Sequence, residues 1–219
     1  MNINKQIDND IEIISGMIAN STYFFDNLEI LVTQLDQDKK VIFNGYPFLK
    51  RTKITLWSLV LLDIYKILSN RDKDKFRFIS VLSRIENNYK NVHWEHVLTK
   101  KEINELKHLI IAEAENIEKI VHIRDTRIAH YDDNVDVKVL KIDELKRLVL
   151  LCQDICNKLT YSLFNSTTTW TFSSSEMVFP VVNSLTRFQK VRDLVFKSRV
   201  DQTATIETEV LMKIIRANR

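Results

Sequence analysis

The sequence predicts an all-α protein, an up-and-down bundle of long helices with additional helices at its C-terminal end. Three observations point that way. Only two glycines and two prolines occur among 219 residues, and sheets joined by tight turns generally use more of both. Apolar residues recur at three- and four-residue spacing through most of the chain, which is the period of a helix face. Hydrophobic residues make up 45% and charged ones 28%, the proportions of a folded globular chain and not of a disordered one.

The elements follow in order. Ile7, Ile11, Ile14 and Ile18, continued by Phe25, Leu28, Leu31 and Leu35, describe one long helix or a broken pair, with Gly16 as its weak point. Asn44-Gly45-Tyr46-Pro47 is a stop signal. A second helix runs from about Phe48 to Leu68. Its segment TLWSLVLLDIYKIL is apolar on most sides, which places it at the centre of the bundle. The charged stretch Asn70 to Asp74 is a turn. A third helix spans about Lys75 to Tyr89, with Phe78, Val81, Leu82 and Ile85 facing inward. Thr99-Lys100-Lys101-Glu102 has capping-box spacing and opens a fourth helix. Its expected buried stripe is Ile103, Leu106, Ile110, Ala114, Ile117 and Val121. After a polar turn at Tyr131 to Asn134, a fifth helix covers about Ile142 to Phe164. Leu145, Leu148, Val149, Cys152, Ile155, Cys156 and Leu159 form its stripe.

Eight of the ten residues from Ser166 to Ser175 are Ser or Thr. Hydroxyls compete for backbone groups and β-branching restricts rotamers, so this stretch is a loop or a small hairpin anchored by Trp170 and Phe172. Two more helices, about 184–199 and 204–217, complete the chain. Residues 1–165 thus form the bundle. Residues 166–219 form a Ser/Thr-rich loop and basic helices packed on the same domain.

The net charge of +3 does not by itself indicate nucleic-acid binding. Its distribution is uneven: residues 184–219 carry eight Lys/Arg and four acids. That region is therefore +4, and the rest of the chain is −1. The N-terminus MNINKQIDND lacks the basic-then-apolar layout of a secretory signal. Thr55 to Leu68 is too short and too polar to cross a bilayer. The expectation is a cytoplasmic protein without a membrane segment. Cys152 and Cys156, the only cysteines, fall on the apolar stripe of the fifth helix and read as reduced core thiols. No metal and no cofactor is expected. His93-Trp94-Glu95-His96 lacks a third ligand at useful spacing and reads as loop histidines. His108 and His122 lie on the fourth helix without an evident partner.

The chemistry concentrates in Arg124-Asp125-Thr126-Arg127-Ile128-Ala129-His130. Arg124-Asp125, four residues and then His130 resembles the arginine–polar–histidine signature of the HEPN superfamily. The surrounding IRDTRIAHYDD and the upstream TLWSLVLLDIYKIL look like its abortive-infection branch, found in phage defence. The resemblance covers roughly residues 50–165. It implies an HEPN-like helical bundle that pairs as a homodimer, with the two motif copies facing one cleft. It also implies metal-independent endoribonuclease activity in many members, while others bind RNA or serve as scaffolds. The matched positions are Arg124, Asp125 and His130. Related toxins silenced by nucleotide transfer carry a tyrosine two places after the histidine. Here that place holds Asp132, with Tyr131 adjacent, so the sequence departs from that pattern.

The residue types suit the chemistry independently. Cleavage of RNA without a metal uses the adjacent 2′-hydroxyl as nucleophile. Neutral His130 can take its proton, because imidazole titrates near operating pH. The Arg124 guanidinium can donate to two phosphate oxygens as charge builds at phosphorus. Asp125 can orient either partner. Arg127, Arg187 and Lys190 can follow the RNA backbone. On an ideal helix, Arg124 and His130 lie roughly 120° apart, so either the helix ends between them or a dimer completes each site.

Bland roles stand beside these: Arg124 paired with Asp125 at a helix end, His130 as a C-terminal cap, and the basic helix as a solvated face. The expected function is a defence or toxin–antitoxin endoribonuclease acting on RNA, with an antitoxin or regulator as possible partner. The alternatives are a non-catalytic RNA-binding or protein-interaction module and a purely structural dimer.

Overall fold

The computed structural model describes residues 2–35, 46–69, 76–128, 140–170, 181 and 183–191, without the side chains of Gln34, Arg127 and Ile128. Every regular element among them is helical. The chain divides into two compact units. The first comprises Met1–Glu29 and Lys53–Phe172, the second Ile30–Thr52 and Ser173–Arg219.

In the first unit, α1 (Ile3–Glu29) is one continuous helix, and Gly16 does not break it. Helix α2 (Pro47–Leu68) contributes all but its first residues. Then come α3 (Phe78–Asn87), a single 3-10 turn at Tyr89–Asn91, α4 (Lys100–Ala112), α5 (Ala114–Ile123) and α6 (Ile142–Phe164). Pro47 begins α2 close to the expected start, at the first helical position, where its missing N–H would have had no partner; Asn44 and Gly45 lie outside the described residues.

Four of these helices close a ring. The most extensive pairing is α1 along α6; α1 also packs on α3, α3 on α4, and α4 on α6. Polar contacts fix the directions. Lys146 meets Glu29 and Gln153 donates to Thr22 Oγ1 at 2.8 Å, so α1 and α6 run antiparallel. Lys158 pairs with Glu102 and Arg147 with Glu113, so α4 and α6 do as well. Asp10, itself buried, pairs with Arg84 between α1 and α3. The core is the inner faces: Ile7, Ile11, Ile14 and Ile18 of α1, Phe78, Val81, Leu82 and Ile85 of α3, and the whole expected stripe of α6. Cys152 and Cys156 are free thiols inside it. Burial raises both pKa values, Cys156 to about 11, because a thiolate loses its hydration there.

Two expectations change. The TLWSLVLLDIYKIL segment is not central throughout. Val60, Leu61, Ile64, Tyr65, Ile67 and Leu68 are buried, but Leu56, Trp57, Leu59 and Leu62 are half-buried. The centre belongs to the α1–α6 pair. The fourth helix is also two helices. Thr99 and Glu102 form the expected capping box, and Ile103, Leu106 and Ile110 are buried. The helix then breaks at Glu113, whose N–H bonds to the carbonyls of Ile110 and Ile111. The break shifts the helical phase. Asn116, Ile120 and Ile123 are buried, while Ala114 is exposed and Ile117 and Val121 are half-buried.

His96 in the loop before α4 stacks on Tyr161 with ring centroids 4.2 Å apart and bonds Asn165 Oδ1 at 2.9 Å. Asn165 ends α6 in the left-handed conformation, φ 50°, which asparagine tolerates. The loop histidine therefore fastens that helix end. Residues 166–170 have no regular structure, in keeping with the Ser/Thr-rich loop; residues 171–180 lie outside the described residues.

In the second unit, α1 continues into a π-turn at Ile30–Gln34, with Ile30, Leu31 and Leu35 buried. Helix α7 comprises residues 183–191, within the first expected C-terminal helix; the second, about 204–217, lies outside the described residues. Tyr46 Oη donates to Gln189 Oε1 at 3.0 Å. No helix among the described residues is long and apolar enough to cross a membrane.

Candidate functional site

The break at Glu113 sets the phase that delivers Arg124. With Ile120 and Ile123 turned into the core, Arg124 follows directly in right-handed conformation, its N–H on the carbonyls of Ile120 and Val121. From there the winding widens: Arg124–Ile128 form a π-turn, closed by i→i+5 bonds in place of i→i+4. Such turns are rare and recur at functional sites. Thr126 Oγ1 donates back to the carbonyl of His122 at 2.7 Å, a bond that bends helices. The 120° separation expected between Arg124 and His130 presumes ideal α winding, which residues 124–128 do not have.

The Arg124 guanidinium is held on two sides. Its Nε donates to Asp125 Oδ1 at 2.7 Å, and Nη2 donates to the same oxygen. Its Cζ lies 4.3 Å from the ring centroid of Tyr65, a buried residue one turn before the end of α2. The Arg124 side chain is 26% exposed and that of Asp125 39%. The site is thus partly shielded and still open to solvent. A guanidinium has five N–H donors, and the Asp125 pair uses two. Further donors on the same group are oriented by that pair, and a phosphate oxygen is the acceptor that suits them in charge and geometry.

Of the predicted site residues, the described structure brings Arg124 and Asp125 together. Arg127 lies on the π-turn, with its side chain outside the description. His130 lies outside the described residues. Arg187 and Lys190 are exposed on α7, in the second unit. Tyr65 was not anticipated. It belongs to an apolar run whose periodicity announces burial, and nothing in that pattern says which charged group its ring meets. Among the described residues, no group of three or more His, Cys, Asp or Glu could hold a metal ion. His93 and Glu95 lie 3.3 Å apart on an exposed loop.

Comparison with known proteins agrees with the resemblance. The family described as AbiU2, an HEPN family, matches residues 12–177, a span that includes Tyr65, Arg124, Asp125, Arg127 and His130. No curated protein and no solved structure matches the chain. The matched span is well over half of the 219 residues and takes in both the helical ring and the arginine-bearing turn, and on that ground the chain belongs to the AbiU2 family of HEPN domains, in the abortive-infection branch.

Proposed function

We propose that this chain is a metal-independent endoribonuclease of a phage-defence or toxin–antitoxin system, acting in the cytoplasm as a homodimer. The observation that carries the reading is the Arg124 guanidinium, held on Asp125 and Tyr65 at the first position of the HEPN motif. His130 takes the proton from the 2′-hydroxyl. The oxygen so freed attacks phosphorus, the bond from phosphorus to the 5′-oxygen breaks, and that oxygen takes up a proton from water. Arg124 stabilises the charge that grows on the phosphoryl oxygens. A positioned base contributes about 10²–10⁴-fold, and a fixed donor to the developing charge contributes about 10²–10³-fold. The products are a 2′,3′-cyclic phosphate and a 5′-hydroxyl. Arg127, Arg187 and Lys190 hold the RNA backbone. An antitoxin or regulatory partner restrains the activity.

The test is incubation of the purified chain with total RNA in the presence of a chelator, followed by end-group analysis. The expected result is cyclic phosphate ends with the parent chain and none with His130→Ala, with the oligomeric state of the two unchanged. A second reading, a non-catalytic RNA-binding or protein-interaction module, draws support from the exposed Arg187 and Lys190 on one helix. It predicts salt-dependent RNA affinity without cleavage in the parent, and that outcome would replace the first reading.

A further inference from the structure

We propose that Tyr65 is a positioning residue for Arg124: its ring face fixes the guanidinium in the orientation that receives a phosphodiester. This rests on the reading of Arg124 as the phosphate-gripping group.

Four observations converge. Tyr65 is only 4% exposed, although it stands near the end of α2 between Asp63 and Lys66. Asp63 and Lys66 pair with each other, so neither is committed to Arg124. The Arg124 Cζ lies over the Tyr65 ring at 4.3 Å, within the range of attraction between a cation and a ring face. The same guanidinium is held along one edge by Asp125. An edge restraint alone lets the group swing about the carboxylate. A face restraint alone lets it turn in its own plane. Together they leave one orientation before any substrate arrives, and orientation set in advance is what lowers a barrier.

The chemistry of the ring matters here. A second carboxylate would also hold the arginine, but it would cancel the positive charge that draws a phosphate. The ring face attracts a cation through its quadrupole and carries no net charge. Tyr65 therefore restrains the guanidinium without weakening its field. The attraction gains strength because the arginine side chain is only 26% exposed.

The experiment follows the Arg124 side chain and the rate separately. In the full-length chain labelled with ¹⁵N-arginine, the Arg124 Nε–Hε signal is identified by its disappearance in Arg124→Lys. Stacking on the ring moves Hε upfield in the parent and in Tyr65→Phe. In Tyr65→Leu the signal moves to the position of exposed arginines. With a single-stranded RNA oligonucleotide, Tyr65→Phe keeps its kcat. Tyr65→Leu loses roughly tenfold in kcat with KM changed less than about threefold, the scale of one cation–ring contact. Should Tyr65→Leu not fold, Tyr65→Met, closer to the ring in volume, takes its place.

Absence of the upfield shift in the parent overturns the proposal. So does a folded Tyr65→Leu or Tyr65→Met that keeps both the shift and kcat. A Tyr65→Phe as impaired as Tyr65→Leu also overturns it, because the hydroxyl and not the face would then matter. A parent that shows the shift but cuts no RNA refutes the ribonuclease reading and leaves the hold of Tyr65 on Arg124 established.

Discussion

Replacing Asp125 by asparagine separates a structural ion pair from a catalytic one. The carboxylate accepts from two nitrogens of Arg124, from Nε at 2.7 Å and from Nη2. Two unit charges about 4 Å apart attract by roughly 4 kcal/mol at an effective dielectric of about 20. That gross figure is not the stability at stake. The side chains are 26% and 39% exposed, and exposed pairs contribute about 0.2–1 kcal/mol net once desolvation, side-chain entropy and screening are counted. Asparagine also keeps an acceptor oxygen. Asp125→Asn should therefore lower unfolding free energy by less than about 1 kcal/mol, read from urea denaturation followed by circular dichroism, and the small difference should shrink at high salt. The rate is more sensitive. Loss of orientation at a reacting centre costs about 10–100-fold, so kcat/KM on single-stranded RNA should fall by that factor while the protein stays folded. An unchanged rate would refute the orienting role. A stability loss above about 2 kcal/mol, with activity falling only as the folded fraction falls, would show that the pair serves the fold.

Three other outcomes follow from the packing. Gly16→Ala should raise unfolding free energy by about 0.5–1 kcal/mol, since a Cβ there meets nothing within 4 Å; a lowered urea midpoint would contradict it. Cys152 and Cys156, both buried with raised pKa values, should resist a thiol reagent at mildly alkaline pH until the protein is unfolded, and rapid labelling of the native chain would contradict that. The Glu102 carboxyl is held at about 2, against an ordinary 4.5, chiefly by the backbone N–H of Thr99 and then by Lys158. A depressed carboxyl stabilises the fold fully above its unfolded value and loses that contribution as pH falls through the folded one. The urea midpoint of the parent should therefore drop between about pH 4.5 and 2 more steeply than that of Glu102→Gln, and equal slopes would contradict it.

Much of the fold was legible in the sequence because the signals are local. The α3 and α6 stripes come from strict three-and-four spacing, and the buried residues are the ones that spacing selects. The Thr99–Glu102 box is a four-residue pattern with its own physics. The break at Glu113 was not legible. No glycine or proline marks it, and the apolar positions from Ile103 to Val121 fit an unbroken helix; the shift shows only in which residues end up inside. The centre of the bundle was misjudged for a related reason. A run apolar on most sides signals burial but not rank, and the longer stripes of α1 and α6 pack more extensively. At the site, Arg124 and Asp125 were readable because they are adjacent. Tyr65 was not, since its meeting with Arg124 depends on how α2 lies beside the end of α5, and tertiary placement of that kind leaves no periodic trace.

The π-turn at Arg124–Ile128 has a consequence for how this segment tolerates change in length. Each of its closing bonds embraces one more residue than an α-helical bond does. Deleting a single residue such as Thr126 would let the segment relax into ordinary α geometry, gaining regularity. Yet the motif's spacing would change: its histidine would follow Arg124 by five places in the sequence where it now follows by six. Local order and motif geometry pull in opposite directions here, and a shortened chain would be expected to be the better helix and the worse HEPN domain.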